Sequence, residues 1–314
     1  MAISLSEAQK QSQDRILAGV IDDFRKSSYL MDTMIFDDAV APTGGGTLVY
    51  GYTYTLTEAS AAVRAINADY AGGNAAIERK SVVCVPMGNW FPIDRVVAAS
   101  NGLVDRVQFE ISQIVKATSA CFSDLVVNGD VSTDFDGIDA SCATGSVITG
   151  TAIDLSTSAN ISTNANAAVD ALNEALGLVP GANAILTSRK GLLKLRSVAQ
   201  RAGYFTARED AFGTQVATFA GIPIIDMGAK SGSSTPIVRE DDGGATPTSL
   251  TDFYVVRLGL DGVHGVTLSG VPMFRVILPD FGAATSVVKG AVEMVGAVCV
   301  KRADAIAKLE GVPV

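Results

Sequence analysis

Three aspartates crowd the stretch "LVVNGDVSTDFDGI", residues 125–138, where Asp130, Asp134 and Asp136 fall within seven residues. Carboxylates so spaced are raw material for a metal loop or an acid/base pair. A calcium loop of the helix-loop-helix kind needs oxygen ligands at positions one, three and five, glycine at six and a bidentate glutamate at twelve. Counted from Asp130, Phe135 takes the glycine position and Ser141 the glutamate position. Counted back from Gly137, Ser132 and Ala143 stand at positions one and twelve. Neither frame supplies the ligands. Asn, Gly, Asp and Ser also build tight turns, each through its own backbone chemistry, so the stretch reads as a turn.

The other reactive residue types are equally sparse. The single histidine, His264 in "LDGVHGVTL", would need an exposed nucleophile beside it to serve a Ser-His-Asp hydrolase, and no G-x-S-x-G elbow occurs. The carboxylate pairs Asp22-Asp23 and Asp241-Asp242 lie on an expected helix face and in a polar loop, where positioning for glycosidase chemistry would be poor. Lys301-Arg302 reads as a solvated pair beside a strand end. Cys84, Cys121, Cys142 and Cys299 are far apart and form no C-x-x-C, which suggests reduced thiols packed as small hydrophobes. No catalytic residue, metal ligand or cofactor site is nominated.

The elements that would have to position a site say more. The 314 residues are enough for about three quarters of the unfolded surface to be buried. Hydrophobic residues make up 48% and charged residues 18%, less charge than a soluble monomer usually carries on its surface, which points to faces buried against other chains. A formal charge of -9 excludes dense neutralisation of nucleic-acid phosphates and leaves only sparse contacts with DNA. The N-terminus has neither a basic nor an apolar signal region, and no apolar run approaches the length of a membrane span.

Along the chain, "SLSEAQKQSQDRILAGVIDDFRKS" places Ile16, Leu17, Val20, Ile21 and Phe24 at helical spacing and predicts an amphipathic arm ending near Gly44–Gly46. "TLVYGYTYTL" (47–56) and "RKSVVCVPMGNWF" (79–91) predict the two strands of a long excursion whose alanine-rich tip carries Gly72 and Gly73. From Ala98 to Asn128, Val104, Val107, Ile111, Ile114, Thr118, Cys121 and Leu125 form one stripe, predicting a helix of roughly 40 Å that Asn128-Gly129 caps. The middle, to about Val266, alternates helix and strand patterns: "NANAAVDALNEAL", "NAILTS", "RKGLLKLRSVAQ", "IPIID" and "DFYVVRL". A polar segment from Met227 to Leu250 reads as a mobile surface loop. The last fifty residues return to strand-like stretches.

This order of elements resembles the major capsid protein of tailed bacteriophages, the Hong Kong 97-type fold. "FSDLVVNGDVSTDFDGI" looks like the family's spine-helix end, and "AILTSRKGLLKLRSV" is similar to its strand-then-helix signature. "FAGIPIID" matches through Gly221 and Pro223, and "GAVEMVGAVCVKRADAIAKLEGV" resembles the closing strand. The resemblance implies an α+β chain with an N-terminal arm (1–46), an extended loop (47–97), a discontinuous peripheral domain with the long spine helix (98–144 and 266–314) and an axial α/β domain (145–265). Asn128, Gly129, Asp130, Asp136 and Gly137 would then be the elbow after the spine helix. Tyr50, Tyr52, Tyr54, Asn67, Tyr70, Gly72, Gly73 and Trp90 are the candidates for contact between subunits. It further implies hexamers and pentamers closing into an icosahedral head around double-stranded DNA in the host cytoplasm, with a portal, a separate scaffolding protein and a decoration protein as partners. No Lys/Asn pair for a covalent cross-link is nominated. An encapsulin-like nanocompartment shell is the alternative within the fold, and a cytosolic α/β enzyme the alternative outside it.

Overall fold

The structure is a computed structural model and describes residues 29–40, 45–57, 59–70, 72–96, 106–203, 206–209, 215–240, 249–270, 272–282 and 285–314. The expected arm helix, with Asp22-Asp23, and the Asp241-Asp242 pair lie outside these residues. The chain runs through α1 (Tyr29–Thr33), β1 (Phe36–Ala39), β2 (Val49–Thr57), β3 (Ala76–Val83), β4 (Val85–Asp94), α2 (Arg106–Asn128), α3 (Ile138–Ser141), β5 (Val147–Thr149), α4 (Ser158–Leu178), β6 (Ala184–Thr187) and α5 (Arg189–Ala202). It continues through β7 (Thr206–Glu209), β8 (Gln215–Phe219), β9 (Ile222–Asp226), β10 (Leu250–Val256), β11 (Val263–Leu268), β12 (Phe274–Ile277), β13 (Val287–Val300) and β14 (Ile306–Pro313).

Three sheets result. The first is built on β13, whose fourteen residues pair with β4 along one edge and with β12 and then β11 along the other, while β1 lies parallel to β11. The second runs β5-β14-β10-β6-β9-β8-β7. The third is the hairpin β2-β3. Three strands therefore sit elsewhere than the sequence divisions placed them. Residues 85–94, read as the return of the excursion, belong to the β13 sheet, because only Cys84 separates two strands that turn to different partners. The closing strand β14, assigned with the peripheral segment, pairs with β10 and β5 in the seven-stranded sheet. His264 and its strand, placed in the axial segment, belong instead to the first sheet.

The spine helix α2 lies on the β13 sheet, and its stripe is not quite the one read from sequence. Ile111, Ile114, Val115, Thr118, Phe122 and Val126 are buried, whereas Cys121 and Leu125 are only half-buried. The sequence stripe alternated steps of three and four, a period of 3.5. A straight helix turns with a period of 3.6 and drifts about 20° per heptad from that line, so Phe122 and Val126 have rotated into the core by the second half.

In the seven-stranded sheet β10 is buried on both faces. Phe253 and Val255 meet α4 and α5 through Leu172, Ile161 and Leu195, while Tyr254 and Val256 face the core that contains Phe122 and Met294. Successive side chains of a strand point to opposite faces, so this strand joins two apolar layers and reads as the unbroken "FYVV". Thr157 caps α4 by accepting from the Asn160 N–H, and Ser188 caps α5 by accepting from Gly191. The segment expected to be a mobile loop is packed in its first half: Met227, Ile237 and Val238 are buried, and Lys230 and Thr235 close a turn.

Candidate interface: the hairpin, its root and the elbow

The elbow is a set of turns. Asp130 accepts from the Ser132 N–H through its carboxylate (2.8 Å) and from the Asp134 N–H through its carbonyl (2.8 Å), and Asp136 accepts from the Val131 N–H (3.1 Å). The Ser132 N–H holds the Asp130 carboxyl below its ordinary range. Gly137 donates back to the Gly129 carbonyl at 2.9 Å. Both glycines are required for space: a Cβ on Gly129 would lie 2.4 Å from the Phe135 carbonyl, and one on Gly137 2.7 Å from the Gly129 nitrogen. The helix ends at Asn128, where Asn128-Gly129 was expected to cap it; the φ of Gly129 is not positive, and close approach is the reason for glycine. The Asn128 side chain donates to the Ile237 carbonyl (2.8 Å), tying the helix end to the packed loop.

The hairpin stands apart from both cores beyond its root. Val63 and Ile66 are almost fully exposed, and Tyr70 and Ile77 largely so. Arg64 lies over the Tyr70 ring at 5.2 Å, and Asn67 adopts left-handed backbone at the tip. Gly72 has open space around it, whereas Gly73 is against Ser60. The three tyrosines of β2 do different things. The Tyr50 hydroxyl donates to Asp37 (2.6 Å), the Tyr52 hydroxyl donates to the Val300 carbonyl (2.9 Å), and Tyr54 bonds to Glu78 across the hairpin. Tyr50 and Tyr52, expected among the residues that meet another subunit, are thus engaged within their own chain. Trp90 lies on β4, half exposed, with the Lys289 ammonium 4.4 Å from its ring.

A groove of about 1030 Å³ runs between the hairpin root, the elbow and the end of β13, lined by Tyr52, Tyr54, Lys80, Asp136, Lys301 and Asp304 among others. Its charges are of both signs. The four cysteines are free thiols, and burial pushes Cys299 up to about 12 and Cys142 up to about 11, which leaves both protonated and inert near neutrality. A second polar cluster went unread from sequence. Lys308 is nearly buried among Asp139 (2.6 Å), Glu310 (3.1 Å) and Asp252 (3.6 Å), and Arg239 holds Asp252 at 2.8 Å. Burial works against the Lys308 charge, but Asp139 and Asp252 outweigh it and hold its pKa above the ordinary value. Among the described residues no helix is long and apolar enough to cross a membrane.

No protein-family model and no curated protein matches the sequence. Solved structures do match its shape. The holo-SrpI encapsulin complex from Synechococcus elongatus PCC 7942 is similar at 14% identity, over 91% of this chain and 87% of that one, with a TM-score of 0.60. The capsid of the native GTA particle is similar at 14% identity, over 91% and 90%, with a TM-score of 0.59. A structure from Mycobacterium phage Ogopogo is similar at 13% identity, over 90% and 91%, with a TM-score of 0.58. Identities this low concern the fold, and the fold is plain: the chain is α+β and has the Hong Kong 97-type architecture over nine tenths of its length.

Proposed function

We propose that this chain is a shell-forming structural protein, the major capsid protein of a tailed-phage-like particle, assembling as hexamers and pentamers into an icosahedral head around double-stranded DNA. The observation that carries the reading is the hairpin. Apolar residues at its tip, Val63, Ile66 and Tyr70, are presented to solvent on a two-stranded sheet with no core of its own. Two strands alone are marginal in water, and exposed apolar patches mark surfaces meant for another chain. The tip residues Val63, Ile66, Asn67, Tyr70, Gly72 and Gly73, with Trp90 on β4, are the proposed contacts, while Tyr50 and Tyr52 fix the hairpin's own base.

The peripheral role falls to α2 with the β13 sheet and the axial role to the seven-stranded sheet with α4 and α5. The function proposed is structural, in keeping with the similarity to shell proteins. A scaffolding protein, a portal and a decoration protein complete the proposed partners, and the charge of -9 keeps contacts with DNA sparse. Assembly takes place in the host cytoplasm, with the head as final location.

The second reading, an encapsulin-like compartment, is favoured by the similarity to the SrpI encapsulin complex. Electron microscopy of the purified protein tests both. Closed shells are expected, and protein that stays monomeric alone and with scaffold co-expressed overturns the reading. Protein cargo inside particles from the native host would select the compartment, and packaged DNA the head.

A further inference from the structure

We propose that His264 and the tyrosines beside it form an acid-sensitive clamp at the root of the hairpin, closed while the imidazole is neutral and released when it gains a proton. The inference concerns the subunit's own chain and stands whether or not the shell reading does.

His264 sits on β11 opposite Cys299 of β13 and is fully buried. Neither nitrogen of its ring has a hydrogen-bond partner among the described residues. Buried polar atoms are bonded in the great majority of cases, and exceptions call for an explanation. The ring's neighbour is the hairpin: Tyr50 of β2 stands edge-on, with centroids 5.7 Å apart and planes at 74°. The same tyrosine donates its hydroxyl to Asp37 of β1, and one pleat further Tyr52 donates to the Val300 carbonyl of β13. Two hydroxyls and one T-shaped ring contact thus seat the hairpin on the sheet.

The charged and titratable groups around this seat come from three strands. β1 brings Asp37 and Asp38, and Asp38 accepts from the Thr267 hydroxyl of β11 at 3.2 Å. β2 brings Tyr50 and Tyr52. β13 brings Cys299, and just past its end stands Lys301, whose ammonium lies 5.5 Å from the Tyr50 ring. An imidazolium here would have two N–H donors and a second cation close by. The near anion is Asp37, and its Oδ2 already holds the Tyr50 hydroxyl. The Gly262 carbonyl, which already accepts from the Lys301 N–H at 3.1 Å, lies beside the ring and can take one new donor; the other must take Asp37 from Tyr50 or admit water between hairpin and sheet, and either step loosens the clamp.

The direction in pH follows. Burial first, and Lys301 second, lower the imidazole to about 4, with Asp37 and the Gly262 carbonyl opposing. A group whose folded pKa is lowered lends its stability above the ordinary value, near 6.5, and loses it as pH falls toward the folded value. Between those limits the closed clamp weakens by about tenfold per pH unit relative to an open one.

Because the chain has one histidine, deuterium exchange at its ring Cε1–H, read by mass spectrometry, reports this group alone, in free subunits or in particles. Backbone exchange of β2 and β3, corrected for intrinsic rate, is followed in parallel from pH 7.5 to 4. The expected result is a titration well below 6.5, hairpin exchange rising at least tenfold over that range, and steady protection in β10 and β14. His264→Gln should flatten the hairpin profile. Tyr50→Phe, which keeps the ring but loses the bond to Asp37, should raise hairpin exchange already at pH 7.5. A histidine titrating near 6.5, a hairpin indifferent to pH, or an unchanged profile in His264→Gln overturns the proposal. If that variant does not fold, the wild-type titration and exchange decide it.

Discussion

The ammonium of Lys308, on the last strand of the chain, stands 2.6 Å from the carboxylate of Asp139, on the short helix that closes the elbow. Tyr254 of β10 donates to the same carboxylate at 2.9 Å. The seven-stranded sheet is therefore tied to the short helix after the elbow by charge as well as by apolar packing. Asp252, nearly inaccessible, adds a salt bridge from Arg239 and a bond from the Gly311 N–H.

Removing the cation from this network leaves carboxylates facing one another. Lys308→Met should destabilise the subunit by about 3 kcal/mol, the usual consequence of breaking a buried pair on one side, read as a lower urea midpoint with unchanged slope. Pairing it with Asp139→Asn should recover part of the loss, because the exposed partner of the pair is then neutral as well. A variant of wild-type stability would mean that the network is solvated.

A different edge of the molecule is protected by chemistry that keeps neighbours away. β4 pairs with β13 and with no other strand among the described residues. Pro86 and Pro92 lack an N–H, so in the continuous β4-β13 ladder they occupy positions whose donors would point outward, the parity that Trp90 shares. The Trp90 N–H is itself taken by the Asn89 side chain at 2.8 Å. Prolines and occupied donors blunt an edge against unplanned pairing. Restoring donors with Pro86→Thr and Pro92→Val should leave the fold intact and increase irregular aggregation severalfold by light scattering. An unchanged scattering profile would show that the edge is covered in another way.

How much of this was legible in the sequence depended on which level of structure left a local mark. α5, β6, β9 and β10 announce themselves through period and turn residues, whereas the Ser188 cap of α5 was read as the end of a strand. The elbow was legible as turns because its aspartates miss the calcium-loop spacing and stand among Asn, Gly and Ser, the residues that build tight turns. β14 was not separated from the closing segment: "IAKLEGVP" carries Lys308 and Glu310 at positions that look solvated, and only the fold brings Asp139 and Asp252 to them. β3 and β4 were read as one strand because sheet membership leaves no trace in a run broken by a single residue. The role of Tyr50 and Tyr52 at the root was likewise hidden, since Asp37 and Val300 are remote in sequence.

The rotated stripe of the spine helix gives a direct comparison. Phe122 is fully buried and Cys121 half-buried. Phe122→Ala should cost about 4 kcal/mol, whereas Cys121→Ala should cost under about 1 kcal/mol. Ile114→Asp, which places a carboxylate at a buried position, should prevent folding. Chemical denaturation of the three variants checks this, and equal costs at 121 and 122 would restore the stripe read at a period of 3.5.

The outer hairpin can be removed without touching the clamp at its root. Thr57 faces Ala76 in the ladder, so a two-residue Asn-Gly turn can replace residues 58–75 where the strands are already paired. The segment removed carries Val63, Ile66 and Tyr70, which contribute no buried side chain to either core. Burial is what stabilises, at about 25 cal/mol per Å² of apolar surface, and surface that stays exposed contributes nothing to the isolated subunit. The shortened chain should therefore keep a cooperative unfolding transition within about 1 kcal/mol of the unassembled parent. In a shell the same surface is expected to be covered by a neighbour, so the shortened chain should fail to form stable particles. Limited proteolysis gives an independent reading: cleavage near Gly72-Gly73 in free subunits and protection in particles. A shortened chain that still builds shells of normal stability would move the subunit contact elsewhere, and one that unfolds would place the hairpin in the core.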